Sequence, residues 1–242
     1  MTTQKKGAES LWERLARPAP TPRTALSPQR LAVAAVALAD AEGLEAVTMR
    51  RLASGLGVAP MAAYRYVSGK EDLLQLMIDQ VYGELEFPEN VTGWREAMRA
   101  LALGTRALML RHPWLGRLSS PQSVLALTPN RMAVAERALT ALDGLGLDAD
   151  TAMSVFRTVG AYAYGTAHAE VAWLQLLEGE GWGGGDDARL GMAPQMIWLM
   201  GTGRYPHFQR YLTEAGRKDD PQWQFDNGLE AVLDGIAARL GI

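Results

Sequence analysis

The stretch TMRRLASGLGVAPMAAYRYVSGK, residues 48–70, constrains this chain more than any other. Its spacing of apolar, glycine and proline residues predicts two short helices joined by a tight turn. This is the helix-turn-helix unit, which can set one helix into a DNA major groove. Thr48 is placed to N-cap the first helix, its hydroxyl accepting from a first-turn backbone N–H. Leu52, Ala53 and Leu56 then share one face at helical spacing. Gly55 and Gly57 bracket Leu56, and a glycine here can take the left-handed conformation that ends a helix. Val58 follows as an apolar plug, and Pro60 fits the first turn of the second helix, where its missing N–H is not needed. That helix carries Met61, Ala62, Ala63, Tyr64, Arg65 and Tyr66 and stops near Ser68-Gly69.

Tyr64, Arg65 and Tyr66 lie together without an acidic neighbour, flanked by Arg50, Arg51 and Lys70. Tyrosine hydroxyls and cationic groups donate to phosphate oxygens, and an arginine fork can also read guanine. The candidate DNA-contacting set is Thr48, Arg50, Pro60, Met61, Ala62, Tyr64, Arg65, Tyr66 and Lys70. The competing reading is an ordinary helical pair with a basic solvated face. Turn, caps and charge all argue against it.

Overall charge hides this polarity. Net charge is −3, yet residues 1–70 hold ten Lys/Arg against five Asp/Glu, and residues 71–242 hold fourteen against twenty-two. A basic head on an acidic body suits a protein that presents one end to DNA. With 242 residues, nearly half of them apolar, the chain can bury a sizeable core and is not disordered by composition. It has no cysteine, which excludes disulfides and thiolate metal sites. With neither an 18-residue apolar run nor a signal-peptide core, a soluble intracellular protein is expected.

The apolar periodicity predicts an all-α protein in three parts. Residues 1–26 form a mildly basic arm, residues 27–70 the DNA-binding head, and residues 71–242 a larger helical body. In the arm, Lys5, Lys6, Arg14, Arg17 and Arg23 accompany Pro18, Pro20 and Pro22, and residues 10–16 are expected to make one or two helical turns. The arm reads equally as a disordered tail or as a segment touching phosphates or the minor groove. A first helix is expected over 28–42, capped by Ser27 and stopped by Gly43, and another after Gly69 that ends before Pro88 and links head to body. Further helices are expected over 94–112, 130–145, 148–178 and 223–240, with a short one starting near Pro194. The acidic, glycine-rich segment 179–191 reads as a flexible loop.

Two faces of the body need covering: the small-residue face of 148–178, including Gly165 and Ala169, and the terminal stripe of Leu229, Val232, Leu233 and Ile236. Both can be monomer core. Dimerisation is favoured, because readers of this geometry engage palindromic sites with two heads about 34–36 Å apart. A second stripe joins Leu101, Thr105, Met109 and Trp114 to Met153, Phe156, Arg157 and Gly160. From residues alone, such a Met and aromatic stripe reads first as core, although the same residues line small-molecule pockets well.

Residues 27–82, with their core LASGLGV followed by Y.Y and K..LL, resemble the DNA-binding domain of the tetracycline-repressor family of transcriptional regulators. LGTRALMLRHPW at 103–114 and RTVGAYAYGTAHAE at 157–170 resemble that family's larger domain more loosely. The resemblance implies a bacterial cytoplasmic homodimer held by a four-helix bundle. It also implies an effector bound inside the body, which turns the second stripe into a ligand site and makes release of a palindromic operator by that small molecule the expected function. It places a base-reaching residue at Arg50 and phosphate contacts at Tyr64 and Lys70. Family positions that hold a magnesium–tetracycline chelate correspond here to Ser119, about Gln122, Leu101 and Glu86, so a bulkier apolar or aromatic effector is expected instead. No cofactor is implied.

His112, His168 and His207 have no ligand spacing between them, so no metal site is expected, and His168 with Glu170 reads as a surface pair. No nucleophile elbow or supported Ser/His/Asp set appears, and the chain is not read as an enzyme. The alternative class is a helical carrier or enzyme with a decayed DNA head. Arg50, Tyr64 and Lys70 discriminate against it, since a decayed head has no reason to keep this donor set.

Overall fold

The structure, a computed structural model, describes residues 10–17, 26–88, 93–118 and 126–242. The described part of the arm is a docked helix, α1 (Leu11–Ala16). Ser10 and Glu13 form a reciprocal capping box, with the Glu13 carboxylate accepting from the Ser10 N–H at 2.8 Å. Leu11 is buried in the head core, and Arg14 is paired with Asp72, so this part of the arm belongs to the head.

Helix α2 (Pro28–Glu42) starts where Ser27 accepts from the Arg30 N–H at 3.1 Å and ends at Gly43, whose φ of +84° favours glycine. Leu31, Ala32, Ala35, Val36 and Ala39 form its buried stripe. Helices α3 (Met49–Gly55) and α4 (Pro60–Ala63) follow as the predicted pair, then α5 (Lys70–Tyr82). Leu73, Met77, Ile78 and Val81 of α5 are buried and continue the core from head to body.

The body contains α6 (Trp94–Arg111), a 3-10 turn at Pro113–Arg117, α7 (Pro129–Thr140), α8 (Ala149–Glu180), α9 (Gly185–Gly201), α10 (Pro206–Glu214) and α11 (Pro221–Leu240). At 1.5 Å per residue, α8 is about 48 Å long and forms the spine. Val155, Val159, Ala163, Ala167 and Val171, four residues apart, pack towards α6, and α11 lies along a neighbouring face of α8. Met98, Leu101, Val159, Ala163, Phe225, Leu229 and Leu233 share this core. Each large side chain fully withdrawn from water there contributes about 1.5–3 kcal/mol.

Two expectations change. Residues 185–191 open a helix and are not a loop. Asp186 and Asp187 lie in the first turn of α9, where the helix dipole favours negative charge, and Asp187 accepts from the Gly183 N–H at 2.7 Å. Gly191 lets the Trp182 ring press against the helix, since a Cβ there would stand 2.3 Å from Trp182 Cζ2. Pro194 lies inside this helix instead of starting one. The second change concerns the terminal stripe: Leu229 and Leu233 are wholly buried within their own subunit, and Val232 and Ile236 pack partly against the same core. Leu229 and Leu233 are monomer core, whereas Val232 and Ile236 keep part of their surface exposed.

Candidate DNA-binding face and its junction with the body

Thr48 caps α3 as expected, its hydroxyl accepting from the Arg51 N–H at 3.3 Å. The turn closes with Gly57 at φ +66° and the Val58 N–H donating to the Ala53 carbonyl at 3.0 Å. Pro60 takes the first position of α4, and Ala63 and Val67, both fully buried, lock α4 and the turn after it onto the head. This fixes what faces outward. Met61 is 74% exposed and Tyr64 46%, with Arg65 exposed next to Tyr64, Arg50 exposed on α3 and Ala62 half-buried. An apolar and an aromatic side chain held in water among arginines form a surface suited to being covered. Lys70 opens α5, its Nζ 3.8 Å from Glu45 in an exposed pair that competes weakly with phosphate.

Tyr66 does not share this face. It is half-buried, and its hydroxyl donates to the Leu26 carbonyl at 2.8 Å, tying the chain before α2 to the turn after α4. Its place among the predicted contacts is therefore corrected to a positioning role. Arg51 turns away to Glu42, and its hydrogen bond holds the Glu42 carboxyl below the usual carboxylate range. Asp72 accepts from the Ser68 N–H at 2.7 Å and pairs with Arg14. Burial opposes its charge, but these contacts outweigh burial and hold its carboxyl below the usual carboxylate range.

The junction with the body is a polar cluster gathered around the buried His112, and sequence spacing gave no sign of it. His112, 3% exposed, follows α6 directly. Its Nδ1 lies 2.8 Å from Asp40 Oδ1 on α2, and its Nε2 lies 3.1 Å from Glu84 Oε2 just after α5. The Trp114 indole N–H donates to the same Asp40 oxygen at 2.8 Å, and Arg111 donates to Glu84 at 3.0 Å. Burial penalises the Glu84 carboxylate, yet the bonds from His112 and Arg111 outweigh it and hold its carboxyl below the usual carboxylate range. Asn130 of α7 adds a further tie, its N–H donating to Asp79 of α5 at 2.7 Å.

Among the described residues, the predicted ligand stripe is divided between two packed clusters and the helix surface, and Trp114 also lines a cleft. Leu101 lies in the body core, while Met109 and Trp114 are buried in the core shared with the head. The Thr105 hydroxyl donates to the Leu101 carbonyl of its own helix at 2.7 Å. Phe156 and Gly160 are half-buried, and Met153 and Arg157 are exposed. Ser119 and Gln122 fall outside the described residues.

Two clefts stand out elsewhere among the described residues. One of about 490 Å3 lies at the junction, lined by Asp40, Gly43, Trp114 and Leu174 among others. The other, of about 760 Å3, lies between the second half of α8, helices α9 and α10, and the start of α11. On α8, Gly165 and Ala169 are exposed on the side turned away from the Val159–Ala163 stripe, with Ala161, Ala172 and Leu176 exposed alongside. His168 stacks on Tyr164 at 6.2 Å between ring centroids, and Glu170 pairs with Arg106, so the expected His168–Glu170 pair is not formed. Among the described residues no group of acidic and histidine side chains is arranged to hold a metal, and no helix is long and apolar enough to cross a membrane.

Comparison with known proteins places this geometry. The family described as "Tetracyclin repressor-like, C-terminal domain" matches residues 87–240, and "Bacterial regulatory proteins, tetR family" matches residues 31–77. The HTH-type transcriptional repressor DrrR1 of Streptomyces coeruleorubidus is 36% identical over 232 residues, covering 94% of this chain and 83% of that protein. Tetracycline repressor protein class E of Escherichia coli is 26% identical over 145 residues, covering 59% of this chain and 67% of that one. Among solved structures, the Streptomyces coelicolor TetR family protein ActR in complex with actinorhodin matches with a TM-score of 0.69 at 27% identity, covering 89% of this chain and 97% of that chain.

Proposed function

Because the chain belongs to the tetracycline-repressor family of bacterial regulatory proteins, we propose that it is a dimeric transcriptional repressor. It holds a palindromic operator in the bacterial cytoplasm and leaves it when a small apolar or aromatic effector binds the body. The observation that carries this reading is the outward face of α4, where Met61, Tyr64 and Arg65 are held in solvent by the buried Ala63 and Val67. Arg50 is the base-reading residue, and Tyr64 and Lys70 hold phosphates. The relative ActR, crystallised with actinorhodin, supports an aromatic effector, and the replacements at the chelate positions argue against magnesium–tetracycline. The relatives are regulators, which supports a role without catalysis.

The dimer is assigned to the exposed small-residue face of α8 around Gly165 and Ala169, joined by α11. Small side chains let partner helices approach closely. The test is a mobility shift on the DNA upstream of the protein's own gene at two salt concentrations. A specific complex that weakens with salt is expected. Equal affinity for that DNA and for random duplex overturns the repressor reading.

A further inference from the structure

We infer that the 760 Å3 cleft between the second half of α8, helices α9 and α10, and the start of α11 is an effector site for a flat, uncharged aromatic molecule. This rests on the ligand-responsive reading above and gives it a location outside the α6–α8 stripe. The volume falls within the range of small-molecule pockets. The walls are aromatic and soft: Trp173, Phe225, Phe208, Tyr211, Met192 and Met196. Phe208 and Tyr211, their ring centroids 5.9 Å apart, are each about half exposed on α10, a helix that buries none of its residues. Such rings gain from a flat guest that covers them, because stacked or tilted aromatic contacts add to the area removed from water.

Charge selects the guest further. Every charged side chain lining the cleft already has an ionic or hydrogen-bonding partner. Glu170 is held by both arms of Arg106 at 2.7 and 2.8 Å, Arg189 by Asp219 at 2.9 Å and by Asp186, and the Lys218 ammonium donates to the Leu212 carbonyl. A charged guest would have to break one of these pairs or enter uncompensated, and both are costly beside the Glu170–Arg106 pair, whose side chains are 14% and 12% exposed. A neutral ring system enters without disturbing them. The Arg106 guanidinium also sits 5.2 Å from the centre of the Phe225 ring, so a guest against Phe225 touches the group that links α8 to α6.

The probe is the neutral fluorophore N-phenyl-1-naphthylamine, titrated into the full-length protein. Wild type is expected to show saturable fluorescence enhancement. Phe208→Ser and Tyr211→Ser alter side chains outside any core, and each should bind the dye roughly tenfold more weakly. Leu103→Ser, an exposed apolar residue on α6, should bind it like wild type. The cleft is overturned if neither aromatic variant changes dye affinity, or if all three change it alike. It is also overturned if Phe208→Ser or Tyr211→Ser converts dimers to monomers in sedimentation without touching dye affinity, since a second copy then covers these rings. Operator mobility shifts on the same proteins keep the two claims apart. Loss of dye binding with intact DNA binding concerns the cleft alone, whereas wild type that shifts no DNA refutes the regulator reading and leaves the dye result standing.

Discussion

Arg50 and Lys70 are both exposed cations beside α4, yet their chemistry assigns them different tasks. The planar fork of Arg50 can pair with guanine O6 and N7, whereas the Lys70 ammonium is a point charge suited to phosphate. Arg50→Ala is expected to cost about 1–3 kcal/mol on operator and to relax one base position, while Lys70→Ala should weaken all sequences alike and lower the salt slope by about one. Competition binding on operator, single-base variants and random duplex checks both. An equal loss for Arg50→Ala on every duplex would refute its base-reading role. Thr48, Gly57 and Pro60 were legible from sequence because caps and left-handed turns are local. Tyr66 was misplaced because its partner, the Leu26 carbonyl, lies forty residues away.

Glu84 gives the pH dependence its sign. Its folded carboxyl ionises more readily than the reference value of 4.5, so the stability it supplies is present above that value and is lost as pH falls through the lower folded value. Thermal melts from pH 6 to pH 3 should therefore show wild type losing more of its melting temperature below about 4.5 than Glu84→Gln does. Parallel curves for the two proteins would remove Glu84 from the acid response.

At the scale of elements, a periodic stripe reports that a face is covered without saying by what. The i, i+3, i+4 pattern of α11 fits either monomer core or a dimer seam, and the structure covers Leu229 and Leu233 with their own α6 and α8. A glycine count had a similar blind spot. Residues 185–191 read as a loop because the anchoring Trp182 packing and the Asp187 bond arise only once the chain has turned. The dimer prediction changes accordingly. Leu233→Asp buries an unpaired charge in the subunit core and should unfold the subunit. Gly165→Glu places its side chain where nothing of the same chain lies within 4 Å of a Cβ. That variant should keep full helical circular dichroism and sediment as a monomer. A folded dimer from Gly165→Glu would move the interface off this face of α8.

For the whole molecule, the question is how a guest in the body moves two heads. The head touches the body through α5 and through the junction where Asp40 receives His112 and Trp114. Position along α6 joins this junction to the ligand end, since Arg106 holds Glu170 of α8 and His112 follows the last turn of the same helix. Six residues of helix span about 9 Å, and a packed helix transmits a shift instead of absorbing it. A hundredfold loss of operator affinity requires about 2.7 kcal/mol of differential binding. Hydrogen bonds to a charged group are each worth about 1.5–3 kcal/mol, so the Asp40 contacts are of the size needed to couple head and body. Asp40→Asn keeps the shape and can still accept from the Trp114 indole, but it removes one of the two carboxylates that His112 faces and leaves Glu84 in place. Its operator affinity without effector should keep its sequence preference. The ratio of operator affinities without and with saturating effector should fall from roughly a hundredfold to tenfold or less. The measurement is a pair of operator titrations, with and without the compound that releases wild type. An unchanged ratio in Asp40→Asn would route the switch through α5 alone.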